Sequence, residues 1–254
     1  MGKMKYRFNA IRVIARRDIK STVNGLGIYV AASLAFLVAM LFVRSNLHGV
    51  TENGLMVRAN PLNYPLLIAV IIGAIYLALT STISVSRERD QGTLEVLFYG
   101  PVDYATYVLA KFLEQLLTFV GLIAIYVVGF FIISKLTNFG MDGSFLAMAG
   151  LSVLMAASIV AFGLLLSTVS RNARTSVIVL LVLLVAFLAI DIVAGILTGM
   201  SARDMSITLV YTRVAVDMIN QGLKWISPFA YLSRGMAAVE LGSSTQILSS
   251  IGAS

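Results

Sequence analysis

The sequence predicts an all-α, polytopic integral membrane protein, and two observations carry that prediction. Apolar residues make up 59% of the 254 residues and charged residues 12%, whereas a soluble domain has about 45–50% and about 25%. Five apolar stretches reach the length of about 17–25 residues that a helix needs to cross a bilayer. These stretches cover residues 27–43, 62–85, 112–134, 145–169 and 177–199. The composition therefore argues against a water-soluble globule and against disorder.

The distribution of basic residues indicates that the N-terminus is cytoplasmic. With this orientation the cytoplasmic segments 1–26, 86–111 and 170–176 hold twelve lysine and arginine residues. The external segments hold seven, although they are longer in total, which is the asymmetry expected of a membrane protein. We therefore expect a multi-pass protein of the cell membrane, inner or plasma. The net charge of +7 is assigned to membrane orientation, and no nucleic-acid partner is expected.

The first element is a basic amphipathic helix that precedes the spans. Apolar residues recur at helical spacing and basic residues fall on the opposite side, which is typical of a helix on the inner membrane surface. The apolar set is Met4, Phe8, Ile11, Ala15 and Ile19, and the basic set is Lys5, Arg12, Arg16 and Lys20. The alternative is a positively charged retention signal without fixed structure.

The last element, after the fifth span, contains no stretch long enough to cross. Residues 200–241 predict two short external helices that rest on the membrane surface, at about 205–224 and 229–241. Pro228 marks the break between them.

The connection 86–111 between the second and third spans is the most charged internal segment. Five charged residues lie within nine positions, and an apolar patch overlaps them. The charged residues are Arg87, Glu88, Arg89, Asp90 and Glu95, and the apolar ones are Leu94, Val96, Leu97 and Phe98. Such a short helix is suited to docking into a partner's groove, and the alternative is an ordinary solvated connector. Asp103 is expected to cap the helix that leads into the third span.

This connection resembles the signature loop of type-2 ABC transporter permeases, the export-type branch. The resemblance is carried by Glu88, by the run Gly92-Thr93-Leu94-Glu95, by Pro101 and by Lys111-Phe112. Residues 15–20 resemble the elbow helix of that family, and residues 225–229 resemble the segment before its last span. The likeness extends from about residue 5 to 241. It implies one transmembrane domain over 1–254, with an elbow helix at 1–26, a cytoplasmic coupling helix at 86–100 and external helices at 200–241.

The resemblance also implies a mechanism and partners. The chain would be the permease subunit of an ATP-driven exporter, paired with a second permease chain in a homo- or heterodimer and bound to cytoplasmic ATPase subunits. ATP and magnesium would bind those ATPases, and this chain would carry no cofactor. The second and fifth spans would line the pathway, with the external helices as its gate. The ATPase contacts would come from Glu88, Arg89, Gln91, Gly92, Thr93, Leu94, Glu95 and Leu97.

One departure from the family pattern concerns the C-terminus. The family has a sixth span after the external helices, whereas residues 245–254 are too few to cross a bilayer. We expect either a sequence that is incomplete at its end, which is the preferred interpretation, or a five-span variant.

Three residues are candidates for a transport pathway. Asp191 lies in the outer half of the fifth span, where an acid usually faces a pathway or the bundle interior. Tyr76 and Thr80 add hydroxyl groups to the second span, and the alternative is that such hydroxyls bond their own helix or a neighbouring one. Glu114 is expected to be interfacial, near Lys111.

Several function classes conflict with the residue content. The chain has no cysteine and a single histidine, His48, so neither thiolate chemistry nor a histidine metal site is expected. It lacks the glycine-rich loop with lysine that P-loop ATPases need, and no catalytic constellation is apparent. We therefore expect a subunit that is not an enzyme. An ion- or proton-coupled carrier that uses Asp191 remains an alternative, as does mechanical work on an external or periplasmic partner.

Overall fold

The computed structural model describes residues 2–53, 61–99, 103–141, 143–199 and 207–226. These ranges form helices joined by short turns and contain no strand, so the all-α prediction is confirmed. The helices are α1 Gly2–Asn24, α2 Leu26–Asn53, α3 Asn63–Asp90, α4 Thr93–Phe98, α5 Tyr104–Thr137, α6 Gly143–Val169, α7 Ala173–Gly199 and α8 Ile207–Ile226.

Five helices, α2, α3, α5, α6 and α7, are long and apolar enough to span a membrane, which confirms the predicted multi-pass architecture. The main difference in their bounds is at α5, which begins at Tyr104 rather than near residue 112. Its first turns carry Lys111 and Glu114, and both side chains are buried against other helices. Polar residues can therefore belong to a spanning helix when they have partners inside the bundle, even though hydropathy alone would not assign them to the span.

Helix α3 lies at the centre of the bundle and packs against α2, α5, α6 and α7. Its closest approach is to α6, where a Cβ added at Gly163 would lie 2.0 Å from Oγ of Ser81. One turn further, Oγ of Ser167 accepts hydrogen bonds from the backbone N–H groups of Val85 and Ser86, at 3.0 and 2.9 Å. A small residue on α6 thus brings the two backbones together, as is common between membrane helices.

Helix α7 is the least enclosed span. In the most apolar 18 residues of α7, 11% are buried, compared with 56% in the corresponding stretch of α6. Leu181, Val185, Leu188 and Ile192 are among its exposed apolar side chains. This surface is suited to contact with lipid or with another chain.

Helix α8 packs against α7, and the side chain of Asn220 donates a hydrogen bond to Oδ1 of Asp191 at 3.3 Å. Asp191 lies eight residues before the end of α7, about 12 Å along the helix axis. Asn220 of α8 therefore lies beside Asp191 of the fifth span, and the location of this segment on the external membrane surface stays a prediction. The second external helix and any sixth span fall outside the described residues.

Helix α1 covers the residues for which the amphipathic elbow was predicted, and it packs chiefly on the first turns of α5. Its position on a membrane surface stays a prediction.

Candidate coupling site

The predicted coupling segment is divided between two helices. Helix α3 continues to Asp90, a turn follows at Gln91 and Gly92, and only Thr93–Phe98 form the separate helix α4. The end of α3 is closed by Gln91 N–H on the carbonyl of Arg87 at 3.1 Å, and by the Thr93 hydroxyl on the carbonyl of Glu88 at 3.1 Å. Residues 86–90 thus belong to the span itself, so any movement of α4 acts directly on α3.

Gly92 makes this reversal possible. Its φ of +69° lies in the left-handed region, and a Cβ at this position would meet nothing within 4 Å. The requirement for glycine is therefore conformational and not steric, because side chains with a Cβ adopt this region at a cost of about 1–2 kcal/mol.

We expect Gly92→Val to destabilise the α3–α4 turn by at least about 1 kcal/mol, and Gly92→Asn to cost less because asparagine tolerates this conformation. The measurement is protease cleavage between α3 and α4 in the purified protein. Gly121→Val is a control on α5, because Gly121 also has open space but no left-handed φ. Equal cleavage of Gly92→Val and wild type would contradict the assignment.

The last turn of α3 also holds the turn between α6 and α7. The guanidinium of Arg89 donates to the carbonyls of Ser170 and Thr168, at 2.8 and 3.1 Å. The carboxylate of Asp90 accepts from the backbone N–H of Ala173, the first residue of α7, at 2.9 Å. A cation at the C-terminus of α6 and an anion at the N-terminus of α7 both oppose the local helix dipole. The same two residues therefore connect the end of α3, from which α4 follows, to the fourth and fifth spans.

Five polar residues from α1, α3 and α5 form a second connection, which we call the inner charge cluster. Its members are Arg17, Asp18, Glu88, Tyr107 and Lys111. Nζ of Lys111 lies 2.7 Å from Oδ2 of Asp18 and 2.5 Å from Oε1 of Glu88. The Tyr107 hydroxyl donates to Oε2 of Glu88 at 2.7 Å. One lysine thus joins the elbow helix, the end of the second span and the start of the third.

The inner charge cluster is largely shielded from solvent. The side chain of Lys111 is 7% exposed and that of Glu88 is 17% exposed. Arg17 lies on the more exposed side, where its hydrogen bond to Asp18 raises the pKa of the guanidinium and keeps it charged. Two cations and two carboxylates balance in charge. Buried groups of this kind depend strongly on each other, because loss of one partner leaves a buried charge without compensation.

A chain of hydrogen bonds beside this cluster links α1, α5 and α3. The Thr22 hydroxyl donates to Oε1 of Glu114 at 3.1 Å, and the Gln115 amide donates to its Oε2 at 2.9 Å. Oγ1 of Thr80 then donates to Oε1 of Gln115 at 2.9 Å. Glu114 is 2% exposed and bonds Thr22 of α1, so it is buried between helices, and its position at the membrane interface stays a prediction.

The predicted ATPase contacts separate into two groups. Gln91, Gly92, Thr93 and Glu95 are exposed, and Leu94 is half-buried against the core. Glu88 differs from the expectation, because its carboxylate is directed to Lys111 and Tyr107 inside the chain. Arg89 also donates its hydrogen bonds to groups within the chain, although part of its side chain is exposed. Leu97 lies on α4, and its side chain is not among those described.

The predicted pathway residues do not converge on one site. Tyr76 and Thr80 line a cavity between α1, α3 and α5 at the inner end of the bundle. Thr80 also lies within 3.1 Å of the Tyr76 carbonyl, so the pathway interpretation and the helix-bonding alternative both fit it. Asp191 is on the outer half of α7 beside Asn220 and is not part of that lining. Over the described ranges, no three histidine or acidic residues are grouped as a metal would require.

Sequence reasoning did not find the inner charge cluster as a unit. One signal was present, because Asp18 is the only acidic residue among the first fifty and stands within a basic helix. Asp103 was found in its place, at the residue before α5, but makes no capping bond with its side chain. Its carboxylate pairs instead with Arg7 on the elbow helix.

Comparison with protein families gives one match. A family model described as ABC-2 family transporter protein matches residues 12–252. Comparison with curated proteins gives no match. The matched range includes α4, the α6–α7 turn and all members of the inner charge cluster.

Proposed function

Since the chain belongs to the ABC-2 transporter family, we propose that it is the permease subunit of an ATP-driven exporter whose α4 docks on a separate cytoplasmic ATPase. The observation that carries this proposal is that α4 follows directly on an end of α3 that is joined to both sides of the bundle. Arg89 and Asp90 connect this end of α3 to α6 and α7, and Glu88 connects it to α1 and α5. A push on α4 that moves the end of α3 is therefore delivered to four other helices.

The docking contacts follow from exposure. Gln91 and Glu95 project polar groups from the turn and from α4, and Tyr99 just beyond is 92% exposed. Polar groups beside an aromatic ring are common in protein interfaces. Glu88 and Arg89 have a different role in this proposal. Gln91 and Glu95 contact the ATPase, and Glu88 and Arg89 transmit the resulting movement to the other helices.

The proposal includes a second permease chain and a cytoplasmic N-terminus. The exposed apolar surface of α7 supports contact with another copy or a similar chain. The excess of basic residues in the segments that hold α1 and α4 supports their cytoplasmic location. The substrate leaves through the paired chains, or the same movement does mechanical work on an external partner.

The carrier alternative receives no comparable support. A carrier that uses Asp191 needs a polar route to that carboxylate, and the cavity around Tyr76 and Thr80 is lined by α1, α3 and α5 without reaching it. The hydrogen bond from Asn220 gives Asp191 a role in holding α8 to α7.

We expect Glu95→Arg to reduce ATPase association at least tenfold, because it reverses a charge at the proposed docking surface without touching the bundle. The chain is co-expressed with its neighbouring genes, and the ATPase that remains bound after mild-detergent purification is quantified. Lys135→Glu is the matched control, because it reverses an exposed charge at the opposite end of α5. Association that is unchanged in Glu95→Arg, or lost equally in both variants, would contradict docking at α4.

A further inference from the structure

A large cavity lies between α1, α3 and α5. Its volume is about 570 Å³ and its lining extends along α3 from Gln91 back to Tyr76. Fifteen residues of helix correspond to about 22 Å. Small-molecule sites have volumes of about 300–1,000 Å³. The cavity is thus large enough for an organic molecule, and its lining includes four members of the inner charge cluster as well as Gln91.

One end of the cavity, the deep end, holds a carboxylate that makes no direct ion pair among the described residues. Glu114 is 2% exposed and accepts hydrogen bonds from Thr22 and Gln115, which are neutral. No lysine or arginine of the described segments forms an ion pair with it, since Lys111, one turn earlier, pairs with Asp18 and Glu88. An acid placed this deep in a membrane protein costs several kcal/mol unless it is neutralised or paired. The deep end therefore favours a positive charge.

The other charged groups in the lining narrow the kind of cation. Arg17 and Arg87 lie on its wall together with Lys111, Asp18 and Glu88. Two exposed arginines disfavour entry of a divalent ion. An organic ion with a single positive charge is repelled less by these arginines than a divalent ion is. Its uncharged atoms can also contact the neutral part of the wall.

Two neutral groups in the lining fit such a ligand. The ring of Tyr76 lies at the deep end beside Gly27, and a ring of this kind attracts a cation held over its face. Oγ of Ser84 is buried and has no hydrogen-bond partner in the described structure. We infer that this cavity is a binding site for a monovalent organic ammonium, which pairs with Glu114 and contacts Tyr76, while its polar remainder bonds Ser84.

The inference goes beyond the proposed permease role and does not depend on it. A ligand here touches α1, α3 and α5, three of the helices that the inner charge cluster joins. Of α4, Thr93 is part of the cavity lining and Glu95, the proposed docking residue, is not.

The test uses the purified full-length chain and the fluorescent amine dansylcadaverine, with its uncharged N-acetyl derivative as the matched ligand. We expect saturable binding of the amine and at least tenfold weaker binding of the derivative. Glu114→Gln is expected to weaken the amine at least tenfold, while Asp191→Asn changes it less than twofold. Gly27→Leu, which fills the deep end and leaves the carboxylate in place, is also expected to abolish binding.

Equal binding of the two ligands would overturn the inference, because it would indicate apolar partitioning. Binding that persists in Glu114→Gln, or that is lost in Asp191→Asn, would overturn it as well. If Glu114→Gln unfolds, Gly27→Leu decides the result, and amine binding retained in that variant excludes this cavity. ATPase association is measured in parallel, and we expect it to be unchanged in Glu114→Gln. The two proposals can therefore fail separately.

Discussion

Replacing Lys111 by methionine is expected to detach the elbow helix from the bundle and to destabilise the protein by about 3–5 kcal/mol. The side chain is 7% exposed and its Nζ contacts two carboxylates. Without it, Asp18 and Glu88 face each other as buried charges with only Arg17 nearby, and breaking a buried ion pair has a cost of this size. Thermal unfolding in detergent and proteolysis of α1 measure the effect.

Lys135→Met is the matched control for this prediction. Lys135 is a lysine on the same helix, but it is exposed at the opposite end and lies over the ring of Phe131. We expect it to change stability by less than about 1 kcal/mol. The double variant Asp18→Asn with Lys111→Met removes one of the uncompensated acids and should recover part of the loss. Equal stability of Lys111→Met and Lys135→Met would show that the inner charge cluster does not hold α1.

The second large effect is expected at Gly163, where α6 meets α3. Alanine is a better helix former than glycine by about 1 kcal/mol, so propensity alone predicts a gain. The added Cβ would lie 2.0 Å from Oγ and 2.9 Å from Cβ of Ser81, and 3.2 Å from the backbone nitrogen of Thr82. Overpacking of this kind typically costs about 1–3 kcal/mol. We therefore expect Gly163→Ala to lower the unfolding temperature.

Gly150→Ala provides the opposite expectation on the same helix. A Cβ at Gly150 meets nothing within 4 Å, so stability should stay the same or rise slightly. Adding Ser81→Gly to Gly163→Ala removes the atoms that clash and should restore most of the loss, because only the contact with Thr82 remains. If Gly163→Ala is as stable as Gly150→Ala, the close approach of α3 and α6 is not present.

The spans could be predicted from the sequence because each depends on local properties. Length and hydropathy identify α2, α3, α5, α6 and α7 without any knowledge of their neighbours. The sequence also indicated that the run from Gly92 to Glu95 differs from an ordinary connector. The backbone gives a physical reason for its glycine, since Gly92 adopts a positive φ.

The inner charge cluster could not be predicted, because its members become neighbours only after the helices pack. Asp18 and Lys111 are separated by 93 positions, and each has polar neighbours in sequence that are equally able to pair. Glu88 was assigned to a partner protein from the family resemblance of its loop, which does not show which residues of the same chain it meets. Its burial depends on Lys111 and Tyr107 arriving from the next helix.

Asp191 and Asp103 illustrate the same limit. The sequence placed Asp191 in the outer half of a span but could not show that Asn220 of α8 would reach it. It placed Asp103 at the start of α5, yet the carboxylate pairs with Arg7 from the other end of the elbow helix. Position along a helix is a local property, whereas the partner of a side chain is not.

The most direct test of the account is site-directed cross-linking from α4. The chain has no cysteine, so a cysteine introduced by Glu95→Cys is the only thiol of the given sequence, and Lys135→Cys is the matched control in the last turn of α5. Membranes that contain the chain and its co-expressed ATPase are treated with a short thiol-to-amine cross-linker. The account predicts that the ATPase is captured from position 95 and not from position 135. Capture from 135 alone, or no capture from 95 while the ATPase still co-purifies, would contradict docking at α4.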